Sequence, residues 1–141
     1  MAQAFASIEI PVPPDQVWNL IGGFGSLPDW LPYIPKSELS EGGRVRSLVN
    51  PEGENIVEQL EKFDNEGRTY SYSIVRAPFP VTAYLSTLRV QATGQGPGSR
   101  VDWFGHFKPD GVSEEDASRL FQGIFESGLK ALAARFASAK E

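Results

Sequence analysis

The sequence contains no cysteine, a single histidine and no two adjacent basic residues. The absence of cysteine excludes disulfide frameworks, thiolate nucleophiles and thiolate metal ligands. One histidine also argues against a zinc site, which needs several nitrogen or sulfur ligands, so we predict no metal and no cofactor. With 13 basic against 18 acidic residues the net charge is −5. This balance disfavours binding to nucleic acid or to an anionic membrane surface.

Long apolar runs are also absent. No stretch approaches the roughly 20 residues of a membrane-spanning helix, and residues 1–6 show neither the basic nor the apolar region of a signal peptide. We therefore expect a soluble cytoplasmic protein without stable membrane insertion. The 141 residues, 40% hydrophobic and 22% charged, fit one globular domain, which we predict to span residues 1–141. Assembly of two copies into a homodimer stays open.

The N-terminal part of the chain predicts a strand followed by two short helices. Residues 3–12 alternate so that Ala, Ile and Val side chains share one face, as in a strand with one buried side. Pro14 suits the first turn of a helix, and Gly22 favours the end of that helix. Ser26 is the predicted N-cap of a second short helix, with Asp29 at the capping-box position.

The middle of the chain predicts an antiparallel meander. Runs of strand-forming residues are separated by short segments rich in Gly, Pro and Asn, including a turn at 94–98, and such short connections join antiparallel strands. The predicted strands lie near residues 36–40, 44–50, 55–64, 68–76, 83–93 and 99–108. Together with the first strand they make a sheet of about seven strands.

The C-terminal segment predicts one long helix ending near Ala139. Ser113 is the expected N-cap, and the acidic residues 114–116 suit the first turn, where negative charge meets the helix dipole. Apolar positions recur at steps of three and four residues and form a wide stripe that must be buried. The stripe comprises Ala117, Leu120, Phe121, Ile124, Phe125, Gly128, Leu129, Leu132 and Phe136.

These elements predict an α+β fold in which a curved seven-stranded antiparallel sheet surrounds a long C-terminal helix, with two short helices after the first strand. The concave face of such a sheet is wider than the helix that covers it, so we expect a cavity between them. We expect this cavity to measure roughly 300–1,000 Å³, the usual range of ligand sites. It should adjoin residues 120–132, where Gly128 would leave local space.

Several strings, together with the order of the elements, resemble the START-like helix-grip superfamily, which includes Bet v 1 and the polyketide cyclases. The strings lie at residues 10–18, 70–74, 78–81, 101–103, 107–109 and 121–129. The resemblance covers essentially the whole chain and is closest to bacterial relatives of the plant abscisic-acid receptors, often labelled polyketide cyclase or dehydrase. It implies the helix-grip fold and, for most members, binding of an apolar small molecule. A minority of members are enzymes, so the fold alone does not decide the function.

The resemblance places a gate loop at residues 77–81. This loop lacks the Ser-Gly start of the receptor loop, and Pro78 and Pro80 should stiffen it. The His-Arg pair of the receptors' latch has no counterpart in residues 94–98. We therefore do not expect abscisic acid sensing, although Phe79 remains the predicted lid over the mouth of a pocket.

His106, the one histidine, would be the natural general base near neutral pH. Strand alternation places it on the face opposite Trp103 and Phe107. If those two rings face the cavity, His106 faces outward. We therefore predict a surface histidine and leave the catalytic residues unassigned.

The orientation of the Glu58 side chain can be interpreted in two ways. It shares a strand face with Ile56 and Leu60, which would place its carboxylate inside, paired with Arg44 or Arg46 of the preceding strand. Alternatively, the inner face carries the odd-numbered residues of that strand and Glu58 lies in water. The alternation supports both readings.

The aromatic residues give the strongest functional indication, because Tyr and Trp offer a pocket apolar area together with hydrogen-bonding groups. The predicted ligand-binding residues are Trp30, Tyr33, Glu58, Tyr70, Tyr72, Phe79, Tyr84, Trp103, Phe107, Phe121, Phe125 and Gly128.

We expect the partner of this site to be an apolar or amphipathic small molecule, such as a lipid, polyketide or isoprenoid-like compound. One alternative is an enzyme of the polyketide cyclase or dehydratase type that polarises a carbonyl with tyrosine, Glu58 or arginine. Another is a module that regulates a partner protein, with or without a ligand.

Overall fold

In the computed structural model, which describes residues 1–94 and 96–139, seven antiparallel strands form one sheet beside three α-helices. The strand order is β1-β7-β6-β5-β4-β3-β2, so every connection after β2 joins neighbouring strands. The elements are β1 Ala2–Ile10, α1 Pro14–Ile21, α2 Leu27–Trp30, β2 Lys36–Ser40, β3 Val45–Val49, β4 Asn55–Asp64, β5 Thr69–Arg76, β6 Val81–Ala92, β7 Ser99–Pro109 and α3 Glu114–Ala139.

The predicted fold is confirmed: the curved sheet and the long helix α3 form a helix-grip arrangement. The strand bounds agree with the prediction within about two residues, and residues 41–43, between the strands predicted at 36–40 and 44–50, form a single 3-10 turn. Ser113 caps α3, since its Oγ accepts a hydrogen bond of 3.0 Å from the N–H of Asp116. Ser26 precedes α2, but its side chain makes no capping hydrogen bond. Gln95, within the predicted turn at 94–98, lies outside the described residues.

Three β-bulges bend the sheet around α3. One extra residue interrupts the register at Val75 in β5, one at Glu61 in β4, and one between Thr82 and Leu85 in β6. Ala83, inside the third bulge, has a φ of 51°, which is unusual for a residue other than glycine. Bulges increase local bending and change which residues face inward. The inward-facing residues therefore form one continuous concave face. Along the bulged strands, however, inward and outward positions do not alternate strictly.

The apolar stripe of α3 packs onto the concave face much as predicted, with one correction. Leu120 is 36% exposed and lies at the edge of the stripe, whereas Phe121 and Phe125 are fully buried. The helix approaches the sheet closely at Gly128, where an added Cβ would lie 2.6 Å from a ring carbon of Trp103. Gly128 therefore leaves no free space, contrary to our expectation, because the indole of Trp103 occupies it.

The helix also contacts the free edge of β1 through Gln122. Its side-chain Oε1 accepts a hydrogen bond of 3.0 Å from the backbone N–H of Phe5, and its Nε2 donates to the carbonyl of the same residue. One amide group thereby pairs with both backbone groups of Phe5 at the edge of the sheet.

Asp102 forms a buried charged cluster on the outer face of the sheet. Its side chain is inaccessible to solvent although its strand position faces outward. Oδ2 accepts hydrogen bonds from Arg89 at 3.0 Å and Gln91 at 2.8 Å, and Oδ1 lies 3.2 Å from Nε of Arg100. Burial alone raises the pKa of Asp102, but these groups and the hydroxyl of Ser7 outweigh burial and hold the pKa below its ordinary value.

We predict that Asp102→Asn lowers the free energy of unfolding by about 1–3 kcal/mol near pH 7, because the basic and amide groups around this buried position lose a charged acceptor. A depressed pKa stabilises the fold above the unfolded-state value of 3.8, and that contribution is lost as the pH falls through the folded-state pKa. Urea unfolding should therefore show the variant approaching the wild type at acidic pH. The exposed Asp110→Asn serves as the control. A pH-independent difference would contradict the prediction.

Candidate functional site

A cavity of about 180 Å³, partly open to solvent, lies between the concave face of the sheet and α3. This volume is smaller than the range we expected, because large aromatic side chains fill much of the space. The walls come from α2 and its following loop, from strands β3 to β7, from the gate loop and from α3. The lining residues are Leu27, Leu31, Tyr33, Ile34, Arg46, Leu48, Asn50, Ile56, Glu58, Tyr72, Ile74, Phe79, Tyr84, Trp103, Phe121, Ile124 and Phe125.

Eight of the predicted ligand-binding residues are brought together around this cavity, and four are not. Those that line it are Tyr33, Glu58, Tyr72, Phe79, Tyr84, Trp103, Phe121 and Phe125. Those that lie behind the walls are Trp30, Tyr70, Phe107 and Gly128. The strand alternation grouped the aromatic strand residues of both sets on the concave side, left Glu58 open, and could not show which side chains reach the open space.

Trp30 and Phe107 support the walls of the cavity. Trp30 packs against Trp103, with ring centroids 5.9 Å apart. The ring centroid of Phe107 lies 4.7 Å from that of Phe121 and 5.9 Å from that of Tyr84. Both residues hold lining aromatics in place rather than contacting the cavity.

Tyr70 lies beneath the charged end of the cavity. Its ring meets that of Phe24 edge to face at 5.7 Å, and its hydroxyl accepts a hydrogen bond of 3.3 Å from Nη1 of Arg46. Tyr70 therefore positions Arg46, which in turn lines the cavity.

Arg46 and Glu58 form a buried ion pair in the cavity wall, which settles the orientation of Glu58. Glu58 is only 7% exposed, and its Oε1 lies 2.8 Å from Nε and 2.7 Å from Nη2 of Arg46. The partner is Arg46 rather than Arg44, which is exposed. The register explains the choice, because Arg46 and Glu58 are direct cross-strand neighbours.

The guanidinium of Arg46 is also held by aromatic rings and a backbone carbonyl. Its Cζ lies 4.2 Å from the ring centre of Phe24 and 4.7 Å from that of Tyr72, and Nη1 donates to the carbonyl of Phe24 at 3.1 Å. Burial raises the pKa of Glu58 above its ordinary value, and the adjacent Arg46 opposes that rise without cancelling it. The cavity thus contains a carboxylate in an environment of low polarity.

A short chain of hydrogen bonds between aromatic side chains lies beside the ion pair. The indole Nε1–H of Trp103 donates to the hydroxyl of Tyr72 at 3.1 Å, and this hydroxyl lies 3.3 Å from that of Tyr84. Burial raises the pKa of Tyr72 and Tyr84 well above the ordinary value, and it raises the pKa of Tyr33 to about 12. These hydroxyls therefore stay protonated at physiological pH and act as neutral polar groups.

The gate loop closes one side of the cavity. Phe79 is half-buried and packs edge to face on Phe121 of α3, with ring centroids 5.3 Å apart. The loop is fixed at its end by a hydrogen bond of 2.8 Å from the N–H of Asp110 to the carbonyl of Pro80. Phe79 thus packs against the long helix α3 through Phe121.

His106 lies on the outer face and is exposed, as its strand position predicted. The described ranges 1–94 and 96–139 hold no group of three His, Asp or Glu side chains arranged to bind a metal ion. None of the helices in those ranges combines the length and apolarity that crossing a bilayer requires.

One known family and several solved structures match all or nearly all of this chain. The profile of the family described as polyketide cyclase/dehydrase and lipid transport matches residues 1–137. XoxI from Bacillus cereus is 55% identical with a TM-score of 0.97, over 100% of this chain and 99% of that one. An uncharacterised protein from Bacillus thuringiensis is also 55% identical with a TM-score of 0.94, over 96% and 99% of the two chains.

A more distant structure supports the fold alone. A START superfamily protein from Mycobacterium smegmatis has a TM-score of 0.80 at 13% identity, over 99% of both chains. The resemblance to the polyketide cyclases drawn from the sequence is confirmed by the family match over residues 1–137, and this structure agrees with the predicted fold.

Proposed function

Because this chain belongs to the polyketide cyclase/dehydrase and lipid transport family, we propose that it binds one small, largely apolar molecule in the cavity between the sheet and α3. The observation that carries this proposal is the cavity itself, whose walls are mostly Leu, Ile and aromatic side chains with a few polar groups on the sheet side. Such a combination suits a ligand held by apolar contacts and oriented by one or two hydrogen bonds.

The volume limits the size of the ligand. A buried apolar cavity of roughly 150 Å³ in another protein holds a benzene molecule, and the cavity here measures about 180 Å³. We therefore expect a single-ring compound with one or two substituents. A long-chain lipid would need side chains to move apart.

Native mass spectrometry of the protein purified from its own host tests the proposal. We expect one small molecule bound per chain. Ile124→Trp should abolish binding, because the indole would occupy the cavity that Ile124 lines. Leu120→Trp, at an exposed position of the same helix, is the matched control and should retain the ligand. Equal binding by both variants would contradict the proposal.

We predict that Phe79→Ala speeds both association and dissociation of a cavity ligand while the fold stays intact. The substitution removes an aromatic pair worth about 0.5–1.5 kcal/mol, so the rates should rise by about two- to tenfold. Exchange of p-xylene measured by NMR gives these rates, and Phe5→Ala, at an exposed phenylalanine, is the control. Unchanged rates together with a clear fall in Tm would show that the loop is only part of the core.

A second candidate function is acid–base catalysis by Glu58. The observation in its favour is a carboxyl group in an apolar cavity whose pKa burial raises above its ordinary value, because burial of this kind tunes a carboxyl group for proton transfer. Incubation of the protein with its co-purified molecule, or with a polyketone, distinguishes the two functions. Turnover that Glu58→Gln reduces by about a hundredfold or more would favour catalysis, and recovery of the compound unchanged would favour binding alone.

A further inference from the structure

One carboxylate oxygen of Glu58, Oε2, takes no part in the ion pair with Arg46. Both contacts with Arg46 are made by Oε1. Within the part of the chain that the structure describes, none of the hydrogen bonds and ion pairs involves Oε2. Glu58 lines the cavity, so this oxygen is an unused acceptor in the wall of a ligand-sized space. Because Oε2 has no protein donor and Glu58 borders the open space, a ligand that places a donor there would gain a hydrogen bond in a mostly apolar cavity.

Arg46 offers no comparable opportunity to an anionic ligand. Its Nε and Nη2 are directed at Glu58, its Nη1 donates to Phe24 and Tyr70, and the ring of Phe24 covers its plane. These contacts use four of the five N–H groups of Arg46, so a ligand carboxylate would meet the free oxygen of Glu58 with only one N–H of Nη2 left to bind it. Charge repulsion and desolvation would both oppose it.

A cationic ligand is also disfavoured. Arg46 already balances the charge of Glu58 at 2.7 Å, so an ammonium group would add an unbalanced charge to an apolar cavity. The group that fits is neutral and donates one hydrogen bond. A hydroxyl group meets both conditions.

We propose that the cavity selects a neutral single-ring molecule bearing a hydroxyl group, a phenol or an alcohol, which donates its hydrogen bond to Oε2 of Glu58. This inference rests on the proposed binding function and adds the chemical class of the ligand. It also gives the buried ion pair a role in recognition, with Arg46 turning one carboxylate oxygen away and leaving the other for the ligand.

Two probes of similar shape test the selection: p-cresol, which can donate a hydrogen bond, and p-methylanisole, which can only accept one. The measured quantity is the ratio of their dissociation constants, compared between the wild type and Glu58→Gln, so that differences in ligand hydration cancel. In Glu58→Gln the amide oxygen must face Arg46, which can only donate, and the amide NH₂ then replaces the free acceptor. We expect the preference for p-cresol to fall by about tenfold or more.

The double variant Arg46→Leu/Glu58→Leu provides a second measurement if Glu58→Gln does not fold, and it should lose the preference for p-cresol by a similar factor. Leu120→Ala, at an exposed position on α3, should leave the ratio unchanged. A ratio that neither variant changes, or tighter binding of p-toluate than of p-cresol by the wild type, would overturn the inference while leaving cavity binding intact. Failure of p-cresol, p-methylanisole and p-xylene alike to bind would instead overturn the proposed function and this inference with it.

Discussion

Replacing Arg46 alone by methionine is expected to lower the free energy of unfolding by about 3–5 kcal/mol, because it leaves the carboxylate of Glu58 buried without a partner. The double variant Arg46→Met/Glu58→Leu should lose far less, since apolar residues of similar volume replace a buried ion pair at little net change in stability. Urea unfolding of the two variants measures the difference. The matched control is Arg44→Met, an exposed arginine close by in sequence, which should change stability by less than about 0.5 kcal/mol.

The loss of unfolding free energy in Arg46→Met should also depend on pH. Burial raises the pKa of Glu58 from 4.5, and Arg46 opposes the rise, so in the variant the folded-state pKa lies further above the unfolded-state value. A raised carboxyl pKa means that the stability is present in full below the unfolded-state pKa and falls as the pH rises through the folded-state pKa. The variant should therefore be closest to the wild type in acid and furthest from it near neutrality. A deficit independent of pH would show that Arg46 acts through packing rather than charge.

Two glycines of α3 should respond in opposite directions to the same substitution. Alanine favours a helix over glycine by about 1 kcal/mol, and a methyl group added at Gly123 would have no neighbouring atom within 4 Å, so Gly123→Ala should stabilise the protein. At Gly128 the same methyl group would lie 2.6 Å from the ring of Trp103 and 3.0 Å from the hydroxyl of Tyr33. Overpacking of this kind costs about 1–3 kcal/mol, so Gly128→Ala should be destabilising.

The comparison of these two variants isolates the steric effect, because the helix propensity is common to both. Thermal unfolding gives the difference directly. Gly128→Ala should in addition weaken binding of p-xylene, since displacement of Trp103 narrows the cavity that this ring lines. A variant at Gly128 as stable as the one at Gly123 would show that Trp103 moves aside freely.

The sequence predicted the architecture and the inner face of most strands because alternation is a local property of the chain. It identified Tyr72, Tyr84 and Trp103 as facing the concave side, and the structure places all three in the cavity wall. The predicted cavity volume was too large, because the aromatic content of a sequence does not show which rings form the walls of a cavity and which fill it. Trp103 fits against Gly128, Trp30 and Phe125, and this packing depends on contacts distant in sequence.

Two other features could not be predicted from strand alternation. The bulges at Val75, Glu61 and the stretch around Ala83 depend on pairing between strands, and no single strand shows them. Asp102 occupies an outward position, which alternation assigns to solvent, yet it is buried. The long side chains of Arg89 and Arg100 cover it, as flexible basic residues often do on a sheet surface.

The contact between Gln122 and β1 affects how readily the sheet edge can pair with a strand of another molecule. Edge strands present free N–H and C=O groups that a strand from another molecule can pair with, which leads to aggregation. At Phe5 both groups are already taken by the amide of Gln122, so an incoming strand finds no partner at the centre of this edge. The opposite edge, β2, is only five residues long and carries the exposed charges of Lys36 and Glu38. The open sheet is thus protected at both sides against addition of a further strand, by a glutamine side chain at one edge and by shortness and charge at the other.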